Sequence, residues 1–203
     1  GFEFNPASNQ LHSPLVMFDR VGQNVWPSVQ SDNTAAIARA VKYLHNLNHR
    51  RIACIAPDTG LASIQCRCEG YRRAMEESGL FRPEYLYDRP APLSAATGID
   101  ALNYFFSLPE PPTAILCSND LIAQGVHFRA AQMNISVPRN LSIIGFDGIP
   151  LGSAAIPLTT IKQDIPAIAK TLFELCLHPP KEPRVTILPT EFIPGQTCGW
   201  CSR

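Results

Sequence analysis

The sequence predicts an α/β fold built on a parallel sheet. Short apolar runs alternate with longer amphipathic stretches along most of the chain, and most of the apolar runs end in a polar residue that opens a loop. Strands that follow one another through intervening helices need crossover connections, and such crossovers are right-handed and lay the strands parallel.

The elements follow in order. Leu15-Val16-Met17-Phe18 reads as a short strand that stops at Asp19. A turn-rich connector holding Gly22 and Pro27 leads to Asp32, which caps a helix whose apolar face is Ala36, Ile37, Ala40, Val41, Leu44 and Leu47. Residues 51–56 form a buried strand, and a helix over 63–78 is stopped by Gly79. A weak strand at 85–87 precedes a helix at 94–107, which the Pro109-Glu110-Pro111-Pro112 breaker ends. Strand 113–117, helix 120–133 and strand 141–145 follow. The C-terminal part adds an extended run at 158–162, a helix at 165–176 and a late strand at 185–188.

Composition bounds the function. The chain has 203 residues, enough to bury one large core or two small ones. Seventeen basic and seventeen acidic residues cancel, so no global field draws it to nucleic acid or to an anionic membrane. No apolar run approaches the roughly 20 residues that span a bilayer. The opening Gly1-Phe2-Glu3-Phe4-Asn5-Pro6 lacks the charged-then-apolar plan of a signal peptide, and its abruptness is read as that of a fragment. Seven cysteines, an odd number placed mostly inside strand and helix patterns, are expected to be reduced and buried in a cytoplasmic protein. Cys198-Gly199-Trp200-Cys201 has no helix after it to lower a thiol pKa, so a redox role is not expected.

In open parallel sheets, ligands bind in the crevice beyond the carboxyl ends of the strands. Phe18 gives way there to Asp19, and Ala56 to a loop leading to Ser63, Gln65 and Arg67. Cys117 gives way to Ser118-Asn119-Asp120, and Phe146 to Asp147. Carboxylates, amides and a guanidinium collected at one rim suit a ligand with several hydroxyls. Taken singly, each has a plain structural reading: Asn119 or Asp120 caps the next helix, and Asp147 opens a turn with Gly148. Their convergence favours a site. Phosphate-loop, dinucleotide and nucleophile-elbow motifs are absent from the sequence, and its five histidines fall at no metal spacing. His45 and His49, four apart at a helix end, are expected at the surface or as caps. Neither an enzymatic activity, a cofactor nor a metal is expected.

The motifs resemble those of the lactose/galactose-repressor (LacI/GalR) family over nearly the whole chain, from Pro14 to Thr197. They are Pro14-Leu15-Val16-Met17-Phe18-Asp19-Arg20; Asn48-His49-Arg50-Arg51-Ile52; Arg67-x-x-Gly70-Tyr71; Pro112-Thr113-Ala114-Ile115 with Ser118-Asn119-Asp120; Leu141-Ser142-Ile143-Ile144-Gly145-Phe146-Asp147; and Pro157-Leu158-Thr159-Thr160-Ile161. The family consists of bacterial transcription regulators. A helix-turn-helix and hinge helix bind operator DNA, and a two-lobed core related to periplasmic sugar-binding proteins binds a small effector and dimerises. The resemblance implies a periplasmic-binding-protein-like fold with a complete C-terminal lobe and part of the N-terminal lobe. Residues 1–32 would be a remnant of the N-terminal lobe and 33–158 the C-terminal lobe. Residues 159–180 would be a crossover strand and a helix returning to the N-terminal lobe, and 181–203 the final strand and tail.

By motif, Arg67, Asn119 and Asp147 match positions that hydrogen-bond effector hydroxyls. Asp19 matches a cleft residue of the other lobe, and Ser63 and Gln163 match positions that contribute in some members. The implied function is effector binding, of a sugar or similar polar metabolite, in the homodimeric core of a cytoplasmic transcriptional regulator. Operator DNA would be reached only through a domain absent from this chain, which lacks a recognition helix of its own. The alternative is a periplasmic-type sugar-binding protein of a transporter. Three departures from the family pattern stand out. Gly195-Gln196-Thr197 replaces the usual Arg-x-Ser, Asn48 replaces a glycine, and Pro90, Pro92 and Leu93 stand where many members place an aromatic.

Overall fold

The structure, a computed structural model, describes residues 15–19, 26–149 and 156–202. Nine strands and five helices are found among them. In order they are β1 (Met17–Phe18), β2 (Ser28–Ser31), α1 (Asn33–Asn46), β3 (Ile52–Ile55), α2 (Ala62–Glu77), β4 (Leu86–Tyr87), α3 (Ala95–Phe106) and β5 (Ala114–Cys117). They continue with α4 (Asp120–Gln132), β6 (Ser142–Asp147), β7 (Thr159–Gln163), α5 (Ile165–Leu177), β8 (Val185–Leu188) and β9 (Thr190–Ile193). The strands form two sheets. One is three-stranded and wholly parallel, in the order β1-β2-β8; the other is six-stranded, in the order β4-β3-β5-β6-β7-β9. In the larger sheet only β9, at the edge, runs antiparallel to its neighbour.

Two strands lie where the sequence shows none. The Pro27 connector contains β2, whose Ser-Val-Gln-Ser carries one apolar side chain and so has no readable alternation. It forms because β1 and β8 supply a ladder on each side and Val29 packs on Ile168 and Leu175 of α5. The tail, read as a single final strand, holds two. β9 completes the edge of the larger sheet, and its Phe192 ring lies 4.7 Å from that of Tyr43 on α1.

Alternation along the central strands divides the larger core. Cys54, Leu116, Ile144 and Phe146 face α1 and α2, whereas Ala53, Ile55, Ile115 and Ile143 face α3 and α4. Burial on both faces is what makes these runs continuously apolar. Each fully buried Ile, Leu or Phe contributes about 1.5–3 kcal/mol relative to exposure. Helix ends are set by chain chemistry. Asp32 accepts from the Ala35 N–H and caps α1, while Asn48, Gly79 and Asn134 take positive φ at the ends of α1, α2 and α4. In each case the following N–H returns to a carbonyl five residues back, as in Leu80 to Met75. Asn48 thus does what the family's glycine would do. Helices α3 and α4 approach closely at Gly98 and Gly125, where an added Cβ on either would strike the other helix's backbone.

His49 departs from expectation. It is 2% exposed, with Nδ1 2.9 Å from Thr113 Oγ1 and Nε2 3.1 Å from the Gly199 carbonyl. A carbonyl only accepts, so Nε2 carries the proton and Nδ1 accepts from the Thr113 hydroxyl. This tether helps hold the tail against the larger sheet, together with Thr197. The Thr197 hydroxyl accepts from the Thr159 N–H and donates to the Ile143 carbonyl, at the place of the family's Arg-x-Ser. Burial lowers the His49 pKa below its ordinary 6.5, opposed by the bond to Gly199 and aided by Arg50. The unfolded chain therefore takes up the proton first, so the contribution of His49 is complete above pH 6.5 and is lost as pH falls below it. The melting-temperature gap between wild type and His49→Gln is expected to narrow between about pH 7.5 and about pH 5, measured by circular dichroism. The neighbouring Cys198 thiol is pushed up to about 11 by burial, so it is protonated at neutral pH and a poor nucleophile.

Candidate ligand-binding cleft

The chain passes between the two sheets three times: from Ser31 into α1, from Gln163 into α5, and from Leu188 into β9. The parallel strands of the small sheet end at Phe18, Ser31 and Leu188; those of the large one end at Ile55, Tyr87, Cys117, Asp147 and Gln163. These two sets of carboxyl ends meet, because Ser31 Oγ on β2 donates to Gln163 Oε1 on β7 at 2.6 Å. The crevice predicted from strand ends is therefore lined from both sides.

Arg67 is its centre. α2 places Ser63 and Arg67 one turn apart on the same buried face. Gln65, two residues before Arg67, is exposed instead and lines a separate surface groove with Asp58, Glu69 and Arg72. Arg67 is expected at a rim, yet it is only 3% exposed. Its Nε donates to Asn33 Oδ1 at 2.8 Å, and Nη1 donates to the Ser118 carbonyl at 2.5 Å and lies 3.5 Å from Asp147 Oδ1. The guanidinium also stands over the Phe146 ring, 3.5 Å from its centroid. Burial lowers its pKa; the carboxylates of Asp147, Asp19 and Asp120 push the other way. Arg67 thus ties the first crossing (Asn33) to the ends of β5 and β6.

Asp147 and Gln163 extend the chain of contacts. Gln163 Nε2 donates to Asp147 Oδ1 at 2.8 Å while its Oε1 accepts from Ser31, so both ends of the amide are engaged. Burial raises the Asp147 pKa, with Arg67 and Gln163 opposing and Asp19 adding to it. Asp19, just beyond β1, is near enough to act electrostatically on Arg67, Asp147 and Cys66. Among the described residues its Oδ1 is buried without a hydrogen-bond partner, and so are the hydroxyl of Ser118 and Nε2 of Gln30. Buried polar atoms of that kind are rare in folded proteins. Among the described residues, four non-glycine residues adopt positive φ. Asn48 and Asn134 close helices; Asp19 (55°) and Asp147 (114°) are the two cleft carboxylates. Strain of this sort costs about 1–3 kcal/mol per residue and collects at functional sites.

Asn119 serves first as a helix cap: its Oδ1 accepts from the Ile122 N–H at 2.8 Å, which is the plain structural reading of that residue. Ser63 is buried in the first turn of α2 on the Arg67 side. Asp120, which the sequence places at the rim without a ligand-contact role, looks there like ordinary helix-start chemistry because it follows Asn119. It is fully buried; its two oxygens accept from the Thr160 hydroxyl at 2.6 Å and the Ile149 N–H at 2.9 Å. That fixes the turn carrying Asp147. Only glycine at 145 admits this carboxylate, since a Cβ there would collide with Asp120 Oδ1 and lie 2.8 Å from Leu158 Cδ2. Desolvation pushes the Asp120 carboxyl up to about 6. A neighbouring histidine or glycine-rich loop, either of which makes a catalytic or phosphate site readable, is not among these residues. The set is one of hydrogen-bond donors and acceptors around a fixed guanidinium.

Residues 41–198 match the family described as "Periplasmic binding protein-like domain". The chain is 37% identical over 153 residues to the HTH-type transcriptional repressor CytR of Escherichia coli strain K12, covering 74% of this chain and 44% of that protein. It is 34% identical over 140 residues to the ribose operon repressor of the same strain, covering 68% and 42% respectively. It therefore spans less than half the length of these relatives. Among solved structures, a putative LacI transcriptional regulator from Bacillus cereus subsp. cytotoxis NVH 391-98 superimposes with a TM-score of 0.84 at 26% identity, covering 93% of this chain and 69% of that one. With its two mostly parallel sheets meeting at their carboxyl ends, the chain belongs to the periplasmic binding protein-like domains, in the form carried by LacI-family transcriptional regulators.

Proposed function

We propose that this chain binds a small polar effector between its two sheets and passes that event to operator DNA through a separate DNA-binding domain of a homodimeric, cytoplasmic regulator. The two sheets act as two lobes, with Thr159–Gln163 as part of the hinge. One observation carries the reading. Asp147, Gln163 and Ser31 form a continuous chain of hydrogen bonds from the Arg67 ion pair to the carboxyl end of the other sheet. A ligand hydroxyl bonding Asp147 or Arg67 competes with that chain, and so favours one relative placement of the lobes over another. Both relatives named above are repressors, which favours a regulator over the transporter-type alternative. The residues assembled bind rather than react, so no turnover is expected. Leu121 and Phe128, seven apart on α4 and 41% and 55% exposed, form an apolar row of the kind a homodimer contact buries.

The test is titration calorimetry of the intact protein against sugars, nucleosides and related metabolites. Asp147→Ala removes a charged acceptor and leaves Gln163 and Arg67 short of a partner, a loss of about 1–3 kcal/mol. Effector affinity is expected to fall at least about tenfold, with circular dichroism as the folding control. Equal binding by wild type and a folded Asp147→Ala variant would place the site elsewhere.

A further inference from the structure

The effector reading leaves the ligand's chemistry open, and the charges in the crevice narrow it. Among the described residues, Arg67 is the cation of this cleft, and protein partners already hold it. Its Nε is taken by Asn33, its Nη1 by the Ser118 carbonyl and Asp147, and one ring face by Phe146. Three carboxylates, on Asp147, Asp19 and Asp120, are near enough to act on its charge, and Asp147 is in contact with it. Lys162, exposed beside the cleft, lines a groove with Gln163, Asp164, Pro189 and Glu191 that reaches neither Arg67 nor Asp147. Three buried side-chain atoms are without hydrogen-bond partners among the described residues, Asp19 Oδ1, the Ser118 hydroxyl and Gln30 Nε2, and of these Gln30 Nε2, on β2, can only donate. The buried Asp19 Oδ1 can only accept, and the buried Ser118 hydroxyl, 1% exposed at the residue, can give or take one hydrogen bond.

We propose that this cleft selects ligands that present O–H or N–H donors and carry no phosphate or carboxylate, and that Asp19 enforces the choice. The proposal rests on the effector reading above and deepens it. A hydroxyl or amine satisfies the lone acceptor of Asp19. A phosphate ester of the same skeleton brings another anion into a partly dry crevice whose guanidinium already has a carboxylate partner, and an ionised phosphate has no hydrogen to donate to that acceptor. Exclusion of this kind works through the wrong ligand's cost rather than through the right one's contacts. Asp19 sits in strained backbone at φ 55°, which fits a residue kept for what it meets rather than for local stability.

The experiment is calorimetry with matched pairs on the intact protein: ribose and ribose 5-phosphate, glucose and glucose 6-phosphate, adenosine and cytidine with their 5′-monophosphates. At least one uncharged member is expected to bind, and its ester at least about tenfold more weakly. Asp19→Asn keeps the side chain's shape and removes one negative charge, and it should shrink the parent-to-ester ratio severalfold. An ester that binds as tightly as its parent, or more tightly, overturns the ligand class and leaves the effector reading standing. A ratio unchanged by Asp19→Asn overturns the role of Asp19. Silence of the whole panel overturns the proposal together with the reading beneath it.

Discussion

Arg67→Ala is expected to lower the melting temperature by about 6–12 °C and to abolish effector binding in the same variant. Three groups lose the guanidinium at once: Asn33 Oδ1, the Ser118 carbonyl and Asp147 Oδ1, the last keeping only its hydrogen bond from Gln163. Breaking a buried ion pair by deleting one member costs about 3–5 kcal/mol. The lower end applies here, because the Asp147 side chain is 27% exposed and water moderates its stranded charge. Arg67→Lys restores the charge but not the planar fork that reaches Asn33 and Ser118 from different nitrogens, so only part of the loss should return. Thermal denaturation followed by circular dichroism, paired with calorimetry, reads both effects. An unaltered melting temperature would mean that the network adds nothing to the fold.

A comparably large effect is expected far from the cleft. In Gly125→Ala, the new Cβ would lie 2.6 Å from the Ala95 carbonyl carbon and 2.8 Å from its Cα, and nearer still to the carbonyl oxygen. Nothing there is a flexible side chain, so α3 and α4 must move apart. That motion opens contacts among Ala101, Leu102, Ile122 and Val126, all fully buried. Overpacking against rigid backbone costs about 3 kcal/mol. Gly60→Ala is the comparison: an added Cβ there meets nothing within 4 Å, and only the positive φ of 69° opposes it, at about 1–2 kcal/mol. Urea midpoints should separate the two variants clearly.

Much of this was legible in the sequence, for physical reasons that differ by element. The spacing of Ala36, Ile37, Ala40, Val41 and Leu44 gave α1 with its buried face, and Asp32 and Gly79 marked true ends. Strand ends led to Asp19, Arg67 and Asp147, which electrostatics and hydrogen bonding bring together. Gln163, known from its motif, joins them as a clasp held at both ends by protein. β2 escaped notice because a strand supported on both sides by parallel neighbours needs little pattern of its own. The burial of Arg67 and His49 escaped it too. Charged and imidazole groups read as surface residues until distant partners are known, and Ser118 and Gly199 lie 51 and 150 residues away. Asp120 shows the same limit, since Thr160 is 40 residues downstream.

The small sheet has one more consequence, for the order in which the molecule is made. Its central pairing joins Ser28 to Val185, which are 157 positions apart (185 − 28), so it cannot close until nearly all of the chain exists. The larger sheet acquires β3 to β7 through successive crossovers, each with a far shorter loop to close. Contacts distant in sequence form slowly because the intervening chain must first be confined. Folding is therefore expected to run outward from β3, β5 and β6, with β2 waiting for β8. In pulse-labelled hydrogen exchange, the amides of Ile115 and Ile144 should gain protection before that of Gln30. The crevice between the two sheets is then the last part of the protein to come into being, finished only when the late strand after α5 docks beside β2.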